Sequence, residues 1–129
     1  MSTILVRLSL AANVIVLLLV CIALIAFGSS EPVIFTWGES TPARGILLSI
    51  YISILLVSCI LLSFTFRRPI SDSTKNMTAA LLIVQVAYKL TTPLTVGISN
   101  PCVISNLCIA ALHIATLILI RRDRSNPRD

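Results

Sequence analysis

Acidic residues are scarce in this 129-residue chain. All five of them, Glu31, Glu39, Asp72, Asp123 and Asp129, lie outside its long apolar runs. An exporter of the small multidrug-resistance type exchanges protons for cationic drugs at a membrane-embedded carboxylate, so that chemistry is excluded. Paired cysteines are also missing. Cys21, Cys59, Cys102 and Cys108 form no CxxC and no zinc-type spacing, which excludes the quinone-linked disulfide enzymes with four-helix cores. Cys102 and Cys108, six residues apart, point to different faces of a helix and could not bridge within it. With one histidine and no clustered ligands, neither a metal nor a cofactor is expected. Aromatic residues make up only 5% of the chain, and the basic tail RRDRSNPRD contains none, so nucleic acid is not an expected partner despite a net charge of +5.

What fills the chain is apolar. Hydrophobic residues are 57% and charged residues 12%, against about a quarter charged in soluble domains, and the mean hydropathy is +1.00. Four segments, about 4–27, 43–66, 77–98 and 102–120, each reach the ~20 residues that a helix needs to cross a bilayer. Strand alternation of the barrel type is absent, so backbone polar groups must be satisfied within helices. The expectation is an all-α integral membrane bundle of four transmembrane helices forming one domain over 1–129. The first segment has the basic start of a signal peptide, but its apolar stretch of ~20 residues exceeds the usual 7 to 15, so it is taken as a helix.

The basic residues follow a topological pattern. Arg7 stands at the start of the first segment, ahead of its apolar run from about residue 8; Arg67, Arg68 and Lys75 fill the second connection; and Arg121, Arg122, Arg124 and Arg128 follow the fourth. If the helices alternate, all eight fall on one side, opposite Arg44, Glu31 and Glu39. The positive-inside rule then makes both termini cytoplasmic. Anionic headgroups of the lipid bilayer are the expected partners of Arg67, Arg68, Arg121, Arg122 and Arg124.

The connections differ in kind. The loop over 28–43 contains Pro32, Phe35, Trp37 and Pro42, and its aromatics suit the headgroup layer. Thr41 or Ser40 before Pro42 resembles a helix start. RRPISDSTKN, over 67–76, is short and broken by Pro69, which predicts that the second and third helices are antiparallel neighbours. Asn100-Pro101 predicts a tight turn between the third and fourth.

Within the apolar runs one charge stands out. Lys89 lies mid-helix, where an ammonium costs at least ~2.5 to 3.5 kcal/mol on insertion scales and its ~6 Å stem falls short of the interface. Gln85, Lys89 and Pro93 recur every four residues and share a face; Asn106 and His113, seven apart, share another. Measured from the turn at 1.5 Å per residue, Lys89 lies ~15 Å deep, Gln85 ~20 Å, Asn106 ~9 Å and His113 ~20 Å, so these four form one cluster if the two faces meet. Arg44, Tyr51 and Ser58 form a third stripe on the second helix, and Asn13 is at comparable depth on the first. Intramembrane Gln, Asn and Tyr also serve as glue between helices, and a single histidine without a carboxylate is not a complete acid/base pair.

Trp37-Gly38, Thr41-Pro42-Ala43-Arg44-Gly45-Ile46-Leu47 with Tyr51, Gln85-Val86-Ala87-Tyr88-Lys89-Leu90 and the Asn100-Pro101 turn together resemble uncharacterised bacterial four-helix proteins of the DoxX-like type. The resemblance implies a four-helix bundle in a bacterial inner membrane and assigns no catalytic residue.

Three functions follow from these residues. The first is a non-enzymatic membrane protein that binds a small or lipidic ligand, or a membrane partner subunit, through Lys89, Gln85, His113, Asn106, Tyr51 and Arg44. Lys89 in that set suits an anionic or carbonyl-bearing group. The second is a homo-oligomeric small-solute or anion transporter or channel lined by Lys89. The third, a membrane enzyme using Lys89 or His113, has no evident acid/base partner for either residue.

Overall fold

The computed structural model describes residues 2–66 and 69–125, and every regular element among them is helical. The order is α1 (Ser2–Ala26), α2 (Glu31–Trp37), α3 (Pro42–Thr65), α4 (Asp72–Val96) and α5 (Pro101–Ser125). All but α2 are long and apolar enough to cross a membrane, as in a multi-pass membrane protein. A 25-residue helix rises about 38 Å, longer than the ~30 Å hydrocarbon core.

Local chemistry sets the helix ends. Thr41 caps α3 by accepting the Arg44 N–H at 3.4 Å, with Pro42 in the first turn, where its missing N–H costs nothing. Ser71 caps α4 by accepting the Thr74 N–H at 3.1 Å, and Asp72 complements the helix dipole beside it. This capped turn starts α4 five residues before its apolar run, a start that hydropathy alone does not mark. Gly97, at φ 92°, ends α4 by donating to the Pro93 carbonyl. Asn100 Oδ1 accepts the Cys102 N–H at 2.9 Å, which opens α5 directly from the turn.

The 28–43 connection is not all loop, as composition had implied. Ser30, Glu31 and Pro32 start the short helix α2, and Gly38, at φ 80°, ends it. Its Val33 is buried with Leu17, Cys21, Leu24 and Tyr51. A second apolar cluster, Val6, Leu10, Leu61 and Ile120, lies at the opposite end of the bundle. It joins the start of α1 to the last turns of α3 and α5, so the N-terminal end of the first helix and the C-terminal end of the last both lie at this terminal end. Arg7 reinforces it by donating to the Thr65 carbonyl at the C-terminal end of α3, with its guanidinium 5.8 Å from the centre of the Phe66 ring.

α1 packs closely on α3 and α4 on α5, with α1 against α5 next; of these four seams that close the bundle, α3 against α4 is the loosest. The second and third spans, expected as antiparallel neighbours from their short connection, do meet, and theirs is the loosest of these seams. Radially, the bundle reverses a soluble protein. Half of its buried described residues are polar or charged, while Ile15, Leu19, Leu56, Ile60 and Ile118 face outward. Outward apolar surface meets lipid, which gives the polar groups no partners, so they collect inside.

Candidate functional site

Lys89 is 2% exposed. Its Nζ donates to the Tyr88 hydroxyl at 2.6 Å and to Asn106 Oδ1 at 3.3 Å, while lying 4.5 Å from the centre of the Tyr88 ring. Two of its three N–H groups are thus engaged. Among the described residues no carboxylate pairs with it; Asp72 pairs with Lys75 at the terminal end. Asn106 Nδ2 has only the Cys102 sulfur, 3.8 Å away.

The anticipated cluster of four divides. His113 turns to α1 instead of α4. Its Nε2 donates to Asn13 Oδ1 at 3.0 Å, and its Nδ1 lies 3.3 Å from Ser9 Oγ, which in turn is 2.7 Å from Thr116 Oγ1. A carbonyl oxygen only accepts, so the Nε2 proton is fixed and Nδ1 accepts from Ser9. With the Ser9 proton on Nδ1, Thr116 donates to Ser9, and the Leu112 and Leu5 carbonyls, 3.0 and 3.4 Å from Thr116 Oγ1, compete for that same proton. This fully buried network ties α1 to α5 and reads as intramembrane glue. Ser9, four residues before Asn13 on the same face of α1, is the member that sequence reasoning missed; the i,i+4 spacing was its only signal.

Gln85 is fully buried, and neither its Nε2 nor its Oε1 has a hydrogen-bond partner. Arg44, 8% exposed, points away from Lys89. Its guanidinium donates from Nη1 to the Gly38 carbonyl at 2.7 Å and from Nη2 to the Gly28 carbonyl at 2.8 Å, bracketing α2 at both ends. A third tie, from Asn100 Nδ2 to the Thr36 carbonyl at 3.1 Å, fastens α2 to the α4–α5 turn.

Held in this way, α2 roofs the loose seam between α3 and α4. A cavity of about 570 Å³ lies beneath it, bounded by Phe35, Leu47, Tyr51, Tyr88, Thr92 and Asn106 among others. A second cavity of about 220 Å³ adjoins it, sharing Trp37, Tyr51, Tyr88, Cys102 and Asn106 and adding Lys89. Of the six residues singled out in the sequence, three line this pair: Lys89, Asn106 and Tyr51. Trp37, which composition had assigned to the headgroup layer, is half-buried and forms a wall of both; its Nε1 faces the Tyr51 hydroxyl without completing a hydrogen bond of normal geometry.

All four cysteines are free thiols, and among the described residues no three His, Cys, Asp or Glu side chains gather as metal ligands. Arg67 and Arg68, expected at anionic headgroups, lie outside the described residues, as does Arg128, while Arg121 and Arg122 are exposed at the terminal end. No protein-family model, curated protein or solved structure matches this chain.

Proposed function

We propose that this protein binds a small or lipidic ligand in the cleft under α2, with Lys89, Asn106, Tyr51 and Tyr88 as its polar floor, and that it performs no chemistry on that ligand. The observation that carries this is a cavity in the loose α3–α4 seam that adjoins a smaller one reaching inward to α1 and α5, where the buried Lys89 forms part of the lining. Their size and mostly apolar lining with a few convergent polar groups are those of small-molecule sites. Catalysis is a poorer fit. Lys89 meets only a phenol and an amide, and His113 only an amide and a hydroxyl, so neither has the oriented base or acid that a reaction requires.

The same proposal places the protein in a bacterial inner membrane, both termini cytoplasmic, with the cleft in the periplasmic leaflet. Support for the orientation comes from Arg121 and Arg122, exposed at the terminal end.

Photo-crosslinking tests the binding. A diazirine-bearing alkyl probe in nanodiscs should label Tyr88, Thr92 and Leu47 preferentially, and Thr92→Trp, which fills the cleft, should abolish that labelling. Equal labelling of lipid-facing positions such as Ile15 and Leu19, unchanged by Thr92→Trp, would refute it.

A further inference from the structure

We infer that the ligand is a single-chain amphiphile with a carboxylate head, the head lodged against Lys89 and the chain running out through the larger cavity under α2. This rests on the ligand-binding reading above and specifies it.

The head group follows from a count of donors. Around the smaller cavity stand the remaining Lys89 N–H, the Tyr88 hydroxyl proton and the Tyr51 hydroxyl proton. Tyr88 accepts from Lys89, so its own proton is directed elsewhere. Asn106 Oδ1 accepts from Lys89 and keeps one lone pair, and it and the Thr36 and Ser105 hydroxyls that also line the cavity are neutral acceptors that leave the cation uncompensated. A surplus of donors around one buried cation, with no carboxylate paired to it among the described residues, calls for a ligand rich in acceptors and carrying one negative charge. A carboxylate offers two oxygens and about four acceptor sites, and charge-assisted bonds to ammonium and phenol are the strong ones. A cationic or donor-rich head would meet the surplus as repulsion.

The tail follows from the walls of the larger cavity. Ile34, Phe35, Leu47 and Val96 are apolar. The three threonines on its α4 side are spent on their own helix: Thr91 and Thr92 bond the Tyr88 carbonyl at 2.8 and 2.9 Å, and Thr95 bonds the Thr92 carbonyl at 3.1 Å. What they offer a guest is therefore mainly methyl surface. About 570 Å³ suits one alkyl chain rather than the two of a phospholipid.

Trp37 is the sole tryptophan of the chain and borders both cavities, so it reports occupancy directly. The full chain in nanodiscs is titrated, at a pH where fatty acids are ionised, with a bromine-bearing long-chain fatty acid, its methyl ester, its primary alcohol and the monoalkyl phosphate of the same chain. The saturable quenching of Trp37 is read. The expected result is that the acid binds at least about tenfold tighter than ester or alcohol, as a charge-assisted contact predicts, and that the phosphate gains nothing over the acid. Lys89→Met should bring acid and ester to equal affinity without weakening the ester, Lys89→Arg should keep the preference, and Tyr88→Phe should reduce it severalfold.

If acid, ester and alcohol bind wild type equally, the carboxylate inference falls while the binding reading stands. If the phosphate binds tighter than the acid, the head belongs to a phosphate amphiphile such as a lysolipid, and the inference is likewise overturned. If none quenches saturably, both fall.

Discussion

Lys89 Nζ donates to Asn106 Oδ1 over 3.3 Å and so links α4 to α5, which makes the polar floor of the cleft and the α4–α5 hairpin share one bond. Stability and binding at this point therefore oppose each other. An ammonium held by two neutral acceptors is poorly compensated, and replacing a buried charge by an apolar group of similar volume is often neutral or stabilising.

Lys89→Met should accordingly leave the bundle as stable or raise it by ~1 to 4 kcal/mol, whereas Asn106→Leu, which leaves the cation in place with one partner fewer, should lower it by ~1 to 3 kcal/mol. Unfolding of the two single variants and the double in mixed micelles measures this. A Lys89→Met variant that unfolds more readily than wild type contradicts the account.

The His113 network predicts a different sign. His113→Leu leaves Asn13 Oδ1 without its partner and Ser9 Oγ with Thr116 alone, both on α1 and fully or almost fully buried. Interhelical bonds of this kind are worth about 0.6 to 2 kcal/mol each, so the loss should reach ~1 to 3 kcal/mol in the same unfolding assay. Binding in the cleft should be unaffected, because His113 borders neither cavity.

These two residues also show what the sequence could disclose. Depth arithmetic along an antiparallel hairpin placed Lys89 between Asn106 and His113, because the rise per residue is fixed and the turn supplies the origin. It could not supply the rotation of each helix about its axis, and that rotation turns His113 to α1. The spans were legible because crossing lipid demands long apolar runs. α2 was not, because seven residues complete barely two turns and show no period. Arg44 was legible as a buried-stripe residue, but its role as a clamp depends on carbonyls of Gly28 and Gly38, which carry no side-chain signal at all.

Arg44 should tolerate no conservative exchange. Only a planar fork reaches both carbonyls, so Arg44→Lys should free one end of α2 and raise amide exchange over residues 28–41, with a stability loss of ~1.5 to 3 kcal/mol. Unchanged exchange across that segment would refute the clamp.

Gly28→Ala should act on the same clamp from the other side. A Cβ built there would lie 2.6 Å from the Leu24 carbonyl oxygen and 3.0 Å from Arg44 Nη2. The backbone oxygen cannot move aside as a side chain would, so the variant should lose ~1 to 3 kcal/mol, the range typical of overpacking. Combining it with Arg44→Ala should relieve only the second contact, so the double variant should be less stable than Arg44→Ala alone.

Gln85 gives the sharpest test of the interior. Its amide is fully buried with both polar atoms unpartnered, one helical turn from Lys89 and facing the same interior. A buried amide without hydrogen bonds costs about 1 to 3 kcal/mol by protein mutational measures, so Gln85→Leu, close in volume, should stabilise the protein by a similar amount. Because Gln85 borders neither cavity, the gain should come without loss of cleft binding, unlike that of Lys89→Met. Comparing the two variants in one unfolding series and one binding series separates a polar residue kept for packing from one kept for a ligand. Loss of binding with Gln85→Leu would extend the site inward beyond Lys89 and contradict the boundary drawn here.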